Sequence, residues 1–302
     1  MRESDWIWMD GALVPWAEAR VHVLTHALHY GTGVLEGTRV YETAAGPAVF
    51  RLHEHLMRLR RSARMIGLRL PYTYDEMRAA TLETVAANGH RACYIRHLAH
   101  RGYGEMGPAG TANPVVTSIA TWDWSPLLRS GLRLMTSSWR RVDPTTVPSA
   151  AKATGPYLNS ALAKNEAVEA GYDDAVLLNT AGHISECTAA NLFVVCDGVI
   201  ATPPASAGAL DGITQDTVVR LATDLGIAVE RRDLPRSALY AADEVFVCGT
   251  AAEIVPVALV DGRELDGPGP VTSKLSAAYQ AAVRGEDPRY QSWLTPVPSR
   301  GR

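Results

Sequence analysis

One lysine of this chain differs from the others in its surroundings. Lys152 lies in the small, uncharged stretch 148–155, Tyr157 follows it by five positions, and Glu186 lies on a predicted strand about thirty residues further on. A lysine amine can form a Schiff base with pyridoxal phosphate, whose ring nitrogen needs an acid beside it. The three residues predict this chemistry, with Lys152 as the catalytic amine. A lone lysine is usually a solvated surface group, so the prediction depends on its neighbours.

Two segments suit the phosphate of such a cofactor. Residues 212–214 (Gly-Ile-Thr) precede an amphipathic pattern and predict a helix N-terminus, where N–H groups and the helix dipole favour an anion. Residues 249–251 (Gly-Thr-Ala) follow a predicted buried strand, a position where open α/β sheets place ligands. A helix-capping Thr214 and an ordinary glycine turn are the alternatives, so neither segment is specific alone.

Composition limits the class of protein. A chain of 302 residues, 47% hydrophobic and 20% charged, suits two globular domains. The net charge of -3 gives no general attraction to nucleic acid or anionic membranes, and no apolar run reaches membrane-spanning length. Four cysteines without a Cys-x-x-Cys pair predict a reduced, cytoplasmic protein. We therefore expect neither a nucleic-acid nor a membrane partner.

Helical and strand patterns alternate along the chain and break at residues 122–126. We expect a smaller N-terminal α/β domain over 1–121, a linker over 122–130 and a larger C-terminal, cofactor-binding domain over 131–302. The Asp-Gly pair at 10–11 predicts a hairpin. The leucines at 52, 56 and 59 predict a helix, and a capping box at 73–76 predicts the start of the next one.

Two other motifs need to be weighed. Residues 102–107 match G-x-G-x-x-G after a predicted strand, which would suit a nicotinamide-dependent oxidoreductase. Pro108 stands near the position where a helix should begin, so a loop is favoured and the oxidoreductase is kept as the alternative from another class. The histidines His22, His26 and His29 have helical spacing but no acid or cysteine cluster nearby, so we expect core or loop hydrogen bonding and no metal.

Many short segments also occur in the order typical of one enzyme family, over residues 5–284. The chain resembles the branched-chain amino acid aminotransferases, which are class IV (fold type IV) pyridoxal phosphate enzymes. The segments are HALHYG (26–31), EG (36–37), YIR (94–96), SSW (137–139), AAK (150–152), ISE (184–186), NLF (191–193), GIT (212–214) and GTAAE (249–253). Together they are far more specific than any one of them.

The resemblance implies a two-domain α/β (α+β) fold with pyridoxal 5'-phosphate at the domain interface. It implies that Lys152 forms the Schiff base and shuttles a proton, that Tyr157 hydrogen-bonds the ring phenolate, and that Glu186 keeps the ring nitrogen protonated. A buried Glu186 would in turn need the cationic ring to stay ionised. The phosphate ligands that the resemblance implies are Arg51, the backbone of Ile213 and Thr214, and Thr250.

The resemblance further implies transfer of an amino group from an L-amino acid, branched-chain or related apolar, to 2-oxoglutarate or a similar 2-oxo acid. Arg96, with Tyr94 beside it, matches residues that handle the distal carboxylate, to which one arginine can donate two hydrogen bonds. Residues 94–96 favour this function over the same-fold alternatives, a D-amino acid or (R)-amine transaminase and aminodeoxychorismate lyase. The substrate-binding residues implied are Tyr30, Leu35, Tyr94, Arg96, Trp124, Thr250 and Ala251.

Some positions depart from the family pattern. Leu35 stands where an aromatic residue is usual, Leu127 replaces a tyrosine near Trp124, and Glu105 and Pro108 alter a loop. These changes should enlarge the substrate pocket and leave the physiological donor and acceptor open. The resemblance also implies a homodimer or larger homo-oligomer, in which loops near Tyr30 and 105–108 complete the partner's pocket.

Overall fold

The computed structural model describes residues 3–124 and 131–298, and it contains two compact units. Unit 1 comprises Met1–Ser125, Ala151–Gly155 and Ala282–Arg302; unit 2 comprises Pro126–Ala150 and Pro156–Ala281. Leu127, one of the departures noted above, lies outside the described residues. Within the described ranges, no helix combines the length and the apolar character needed to cross a bilayer.

Strands and helices occur along the whole described chain. The elements before residue 125 are β1 (Trp6–Met9), β2 (Ala12–Pro15), α1 (His26–Tyr30), β3 (Gly33–Thr43), β4 (Gly46–Phe50), α2 (Leu52–Met65), α3 (Tyr74–Asn88), β5 (Cys93–Arg101) and β6 (Val115–Trp122). Those after residue 130 are β7 (Leu132–Arg140), α4 (Tyr157–Glu169), β8 (Asp174–Leu178), β9 (Ile184–Cys187), β10 (Asn191–Cys196), β11 (Val199–Thr202), α5 (Ile213–Asp224), β12 (Val229–Arg231), α6 (Ala238–Ala241), β13 (Glu244–Gly249), β14 (Glu253–Val260), β15 (Arg263–Glu264), α7 (Pro270–Val283) and β16 (Leu294–Pro296).

Unit 1 is built on an antiparallel sheet with the strand order β16-β4-β3-β5-β6-β1-β2. One face of β3 and β5 contributes Val34 and Ile95 to a buried core that α2 and α3 complete, for example through Leu56 and Val85. Because side chains alternate along a strand, the residues between them lie on the other face. The sheet therefore has one face packed on helices, and the alternate residues of β3 and β5 lie on the opposite face.

The local predictions in unit 1 are confirmed. The β1–β2 hairpin turns at Asp10 and Gly11, with φ of 44° and 101°, the left-handed values that an Asp-Gly turn accepts. Helix α2 begins at Leu52. Helix α3 has the capping box: the Thr73 amide donates to Glu76 Oε2 (2.7 Å) and the Glu76 amide to Thr73 Oγ1 (3.3 Å).

Two segments of unit 1 fall outside the predicted N-terminal domain. Residues 151–155 bond to β3: the Thr154 amide donates to the carbonyl of Gly33 (2.8 Å), and Ala153 forms a bridge with Val34. The C-terminal strand β16 pairs with β4. The predicted boundaries of 1–121 and 131–302 thus differ from the observed division. Hydrogen bonds between residues distant in sequence, which local periodicity does not report, make the difference.

Unit 2 contains a mixed sheet with the order β12-β11-β10-β13-β14-β7-β8-β9, with β15 added to β14. The pairs β11–β12, β14–β7 and β7–β8 are parallel, and the others are antiparallel. Its core is rich in fully buried β-branched and leucine side chains, among them Val176, Leu192 and Leu239. The predicted turn at 197–198, with φ of 50° and 76°, joins β10 to β11.

The glycine-rich stretch 102–107 is a loop, as predicted. Residues 108–114, all within the described part of the chain, contain no helix, so the strand–loop–helix context of a dinucleotide site is missing there. His26 is buried, with Nδ1 bonded to Thr32 Oγ1 (2.8 Å) and Nε2 to the Gly107 carbonyl (2.7 Å). His29 Nε2 bonds to the carbonyl of Val23 (3.0 Å). These histidines hold loops by hydrogen bonds, which is the interpretation favoured from sequence.

A buried ion pair connects β3 to α2. Glu36 is fully buried; it accepts hydrogen bonds from Arg58 Nε (2.5 Å) and Nη2 (2.9 Å), and its Oε2 lies 2.8 Å from His55 Nδ1. Burial acts to raise the pKa of Glu36. The charge of Arg58 and the hydrogen bonds from His55 and Arg58 outweigh it, so the pKa lies well below its usual range. Burial also lowers the pKa of His55, which favours the neutral ring.

We expect Glu36→Gln to lower the free energy of unfolding by about 3–5 kcal/mol at pH 7, because it leaves the buried Arg58 without its counter-charge. A carboxylate with a depressed pKa stabilises the fold above its unfolded pKa of about 4.3, and this contribution is lost as the pH falls towards the folded value. The free energies of unfolding of the wild type and of Glu36→Gln should therefore become more similar below about pH 4. Urea unfolding at several pH values measures it.

Glu42→Gln provides the matched control, since Glu42 lies on the same strand and pairs with Arg91 at the surface (2.6 Å, side chains 55% and 66% exposed). Exposed ion pairs contribute little. Equal, pH-independent losses in the two variants would contradict the role given to the buried pair.

Candidate active site

The backbone of Lys152 is held by β3 and α2. Its carbonyl accepts a hydrogen bond from the Leu35 amide (2.9 Å), and its amide donates to Ser62 Oγ (3.0 Å). Thr154 Oγ1 donates to the carbonyl of Gly31 (3.0 Å). Lys152 is half-buried between two buried alanines. The predicted catalytic lysine is thus fixed at its main chain, beside the loop that precedes β3.

The small residues around Lys152 are a packing requirement. A Cβ atom on Gly31 would lie 2.7 Å from the Cα of Gly155, and one on Gly33 would lie 3.1 Å from Thr154 Oγ1. Gly31 also has a φ of 63°, a conformation that glycine adopts without strain. The small, uncharged stretch that singles out Lys152 in the sequence lets two backbones approach closely.

Arg51, the predicted phosphate ligand, lies at the other end of α2. It precedes the helix, bonds to Glu54 through Nε (2.9 Å) and Nη2 (2.8 Å), and places its guanidinium 5.0 Å from the centre of the Trp293 ring. Ser62, which contacts Lys152, is eleven residues further along, or about 16 Å of helix rise. Arg58 lies one turn before Ser62. The structure therefore does not bring Arg51 to the lysine, and Arg58 is the arginine that α2 presents near it.

Three predicted substrate residues share the sheet face opposite the helices. Leu35, Tyr94 and Arg96 belong to adjacent strands, with Gly37 opposite Arg96 in the β3–β5 register. The Leu35 amide is bonded to Lys152, so this face continues from the lysine along β3. A Cβ on Gly37 would lie 1.8 Å from the Tyr94 hydroxyl, so only glycine lets that ring lie across the strand.

Aromatic rings surround Arg96. Its guanidinium carbon lies 5.6 Å from the centre of the Tyr94 ring and 5.8 Å from that of Trp122, within cation–π range. Trp124, also predicted for the substrate, lies near Tyr94 at 5.3 Å between ring centres. Arg96 Nε is buried and has no hydrogen-bond partner within residues 3–124 and 131–298. A buried guanidinium N–H without an acceptor suits an incoming carboxylate.

Tyr30 is the predicted substrate residue of α1. It ends α1, is 41% exposed, and its hydroxyl accepts a hydrogen bond from the Gly107 amide (3.1 Å). The Glu105 amide in the same loop donates to Asn113 Oδ1 (2.7 Å). Tyr30 and the altered loop 105–108 thus form one exposed surface of unit 1.

In unit 2, Glu186 is buried on β9 opposite Leu177 of β8. Its Oε1 lies 2.7 Å from Arg141 Nη2, and its Oε2 accepts from the Leu210 amide (3.1 Å) and from Asn191 Nδ2 (3.3 Å). From the sequence, we expected the cofactor ring to supply the counter-charge of a buried Glu186. The structure supplies one from the chain itself.

Asn191 joins Glu186 to the start of α5. Its Nδ2 also donates to the carbonyl of Leu210 (2.9 Å), and its Oδ1 would lie 1.9 Å from a Cβ on Gly212. Gly212 is the N-cap of α5, and a glycine has no side chain with which to cap the helix. The predicted anion site at Ile213 and Thr214 is therefore a true helix N-terminus, where the backbone dipoles favour a negative group.

Thr250 and Ala251 lie in the turn between β13 and β14. The turn follows a buried strand, as predicted, but β13 is antiparallel to both of its neighbours, β10 and β14. The turn is nevertheless near Glu186 and Asn191. Asn191 pairs with Cys248, and a Cβ on Gly249 would lie 3.4 Å from the Ala189 carbonyl.

Tyr157 is the first residue of α4. Asn159, in the same turn, donates to the Arg140 carbonyl (2.9 Å) and accepts from the Val142 amide (3.3 Å), on either side of Arg141. The start of α4 and the arginine that binds Glu186 are thereby tied together. In unit 2, Asn191 links Glu186 to Gly212 and to the strand that precedes the 250–251 turn, and Asn159 ties the start of α4 to the residues flanking Arg141.

Sequence reasoning did not assign four residues that these contacts single out: Glu36, Arg58, Arg141 and Asn191. One sequence signal could have revealed the buried pair. Glu36 and Leu35 are neighbours on β3 and point to opposite faces, so Glu36 lies on the face that packs on the helices. Arg141 and Asn191 act through contacts that no local pattern reports.

Comparison with known proteins adds independent information. Residues 33–260 match the family described as amino-transferase class IV. The branched-chain-amino-acid aminotransferase of Salmonella typhimurium (strain LT2) is 44% identical over 308 residues, which cover 99% of this chain and 99% of that protein. The protein of the same name from Escherichia coli (strain K12) is 43% identical over 306 residues, 98% of each chain.

Solved structures are similar over the same length. The Escherichia coli branched-chain amino acid aminotransferase has a TM-score of 0.96 at 42% identity, covering 98% of this chain and 100% of that one. The branched-chain amino acid aminotransferase of Thermobaculum terrenum, solved in its holo form with pyridoxal phosphate, has a TM-score of 0.93 at 36% identity, covering 99% and 100%.

Proposed function

Because the chain belongs to the class IV aminotransferase family, we propose that it is a pyridoxal phosphate-dependent aminotransferase. It moves an amino group from an L-amino acid, branched-chain or related apolar, to 2-oxoglutarate or a similar 2-oxo acid. The predicted α/β, fold type IV class is confirmed by the TM-score of 0.96 at 42% identity to a solved member. Relatives named branched-chain-amino-acid aminotransferase favour this function over the D-amino acid, (R)-amine, lyase and oxidoreductase alternatives.

The observation that carries the proposal is the fixed position of Lys152. Its backbone is bonded to β3 and α2, while Leu35, Gly37 and Arg96 continue from it along the sheet face opposite the helices. A nucleophilic amine held beside a row of substrate-binding side chains is what amino-group transfer requires. The cofactor supplies an electron sink when it is bound, and the chain supplies binding, orientation and proton transfer.

The chain's own residues fit such a cofactor. The glycine-capped N-terminus of α5 at Ile213 and Thr214 suits a phosphate, and Thr250 adds a hydroxyl from the neighbouring turn. Glu186 accepts from a protonated ring nitrogen, and Tyr157 donates to the ring oxygen. For the cationic phosphate ligand we propose Arg58 in place of Arg51, since Arg58 lies one helical turn from Ser62, which contacts Lys152.

For the substrate we propose that Arg96 binds the distal carboxylate of glutamate and 2-oxoglutarate, while Tyr94, Trp124 and Leu35 contact apolar side chains. The buried Nε of Arg96 and the surrounding rings support this dual use. The backbone N–H groups at Thr250 and Ala251 receive the α-carboxylate. Leu35, smaller than the aromatic usual there, leaves room for a donor bulkier than leucine.

Lys152→Ala should abolish amino-group transfer, because the variant has no amine to attack the cofactor aldehyde. Absorbance spectra and a coupled transaminase assay measure this. Borohydride should bleach the visible band of the wild type and leave a label that peptide mapping assigns to Lys152. The exposed Lys274→Ala variant is the control and should keep both band and activity. Full turnover by Lys152→Ala would refute the proposal.

Arg96→Leu should lower kcat/KM for 2-oxoglutarate about 100-fold, because a charged hydrogen-bonded contact contributes roughly 3 kcal/mol. With 4-methyl-2-oxopentanoate as acceptor the loss should be less than about tenfold, since that side chain carries no charge. Arg91→Leu is the control, because Arg91 is exposed and pairs with Glu42 of β3. This variant should change kcat/KM for neither acceptor. If both acceptors lose equally, Arg96 does not select the distal carboxylate.

We propose in addition that the enzyme is a homodimer in the cytoplasm. The surface around Tyr30 includes Leu28 and Tyr103, with exposed fractions of 63% and 55%, and apolar side chains of this kind favour burial in an interface. All four cysteines are free, as expected in a reducing compartment.

Leu28→Glu should shift the sedimentation coefficient towards the monomer at micromolar concentration, because it places a charge in the proposed interface. Val168→Glu is the control, with a residue 57% exposed in unit 2, and should sediment like the wild type. A wild type that sediments as a monomer would refute the homodimer.

A further inference from the structure

Arg141 has no role in the reaction described so far, yet it is held firmly against Glu186. It follows β7 directly, and its amide donates to the Leu178 carbonyl (2.8 Å). Its Nε donates to the Gly208 carbonyl (3.2 Å), and its Nη2 lies 2.7 Å from Glu186 Oε1. The side chain of Arg141 is 11% exposed and that of Glu186 is 9% exposed. The Arg141 guanidinium is fixed by these two contacts and shielded from water, so it determines the position of the Glu186 carboxylate.

The second oxygen of Glu186 is fixed as well. The Leu210 amide and Asn191 Nδ2 both donate to Oε2, at 3.1 and 3.3 Å, and Asn191 is itself tied to the Leu210 carbonyl. Arg141, the Leu210 amide and Asn191 Nδ2 are all hydrogen-bond donors. Donors favour the ionised carboxylate, since a protonated one would point a hydrogen at a group that cannot accept it.

We propose that Arg141 is a positioning residue for Glu186, holding the carboxylate ionised and correctly oriented for the protonated ring nitrogen of pyridoxal phosphate. The inference rests on the proposed function. It goes beyond that function because Glu186 is ionised and oriented before the cofactor binds. Arg141 supplies a counter-charge that does not depend on the cationic ring.

The pairing has a second consequence for the bound cofactor. Glu186 then interacts with two cations, the Arg141 guanidinium and the protonated ring nitrogen. Arg141 therefore weakens the electrostatic effect of the Glu186 carboxylate on the ring. Without Arg141, the buried carboxylate takes up a proton more readily and loses its orientation. A neutral Glu186 would no longer stabilise the protonated ring nitrogen, and loss of that positive ring charge would favour protonated forms of the Lys152–cofactor link up to higher pH.

The experiment compares wild type, Arg141→Met, Arg141→Gln and the adjacent exposed control Arg140→Met, each prepared without cofactor and titrated with pyridoxal phosphate. The visible band reports the dissociation constant, and its pH titration reports the pKa of the covalently bound cofactor. For Arg141→Met we expect a dissociation constant at least about tenfold higher and a band pKa raised by about half a unit to one unit, as a nearby charge produces. Arg140→Met should match the wild type.

Arg141→Gln keeps a hydrogen-bond donor but no charge, and should show the same upward shift of the band pKa with a smaller loss of affinity. It also decides the question if Arg141→Met does not fold. A purely structural role would lower the unfolding temperature of the cofactor-free protein and leave both cofactor readouts unchanged. If the soluble Arg141 variants have the affinity and band pKa of Arg140→Met, the inference is overturned.

Failure of the proposed function gives a different result. A wild type that develops no visible band with pyridoxal phosphate removes the cofactor itself. A wild-type band with unchanged Arg141 variants removes only the role of Arg141.

Discussion

The hydrogen bonds that attach residues 151–155 to β3 and α2 are the constraint on which the site depends. They take five residues that lie between two stretches of unit 2 and build them into unit 1. The main chain of Lys152 is bonded on both sides, to the Leu35 amide and to Ser62 Oγ. A reacting amine is useful only if its attachment point does not move, and backbone bonds fix that point more firmly than side-chain packing. The need for small residues at Gly31, Gly33 and Gly155 follows from it.

In each unit one buried carboxylate is paired with an arginine. Glu36 and Glu186 each receive an arginine with a contact of 2.5 and 2.7 Å respectively, together with further hydrogen bonds. Burying an uncompensated charge is costly, and a guanidinium can bind a carboxylate while keeping other N–H groups for the backbone. In unit 1 the pair ties a strand to a helix. In unit 2 we propose that it prepares a carboxylate for a cationic ring, so that the same interaction would serve stability in one unit and chemistry in the other.

The face of β3 and β5 explains how one pocket could accept both charged and apolar side chains. Arg96 lies within cation–π range of the rings of Tyr94 and Trp122, and its buried Nε has no hydrogen-bond partner in the described residues. Gly37 creates the space for Tyr94 to lie across the sheet. Leu35 replaces the usual aromatic at a position bonded to Lys152, which makes the size of the donor side chain the property most open to change within the family.

Local features and the family could be predicted from sequence because their signals are local. The Asp10-Gly11 hairpin, the start of α2 and the capping box at 73–76 each follow from the chemistry of neighbouring residues, and Lys152 and Glu186 are singled out by their types and spacing. The tertiary structure alone decided which unit holds residues 151–155 and β16, that the 249–252 turn belongs to a hairpin, that Arg58 and not Arg51 lies near Lys152, and that Arg141 faces Glu186. These outcomes depend on sheet order or on contacts between residues far apart in the chain. Periodicity and short motifs describe neighbours along the chain, whereas hydrogen bonds and ion pairs across a fold depend on how the strands are ordered.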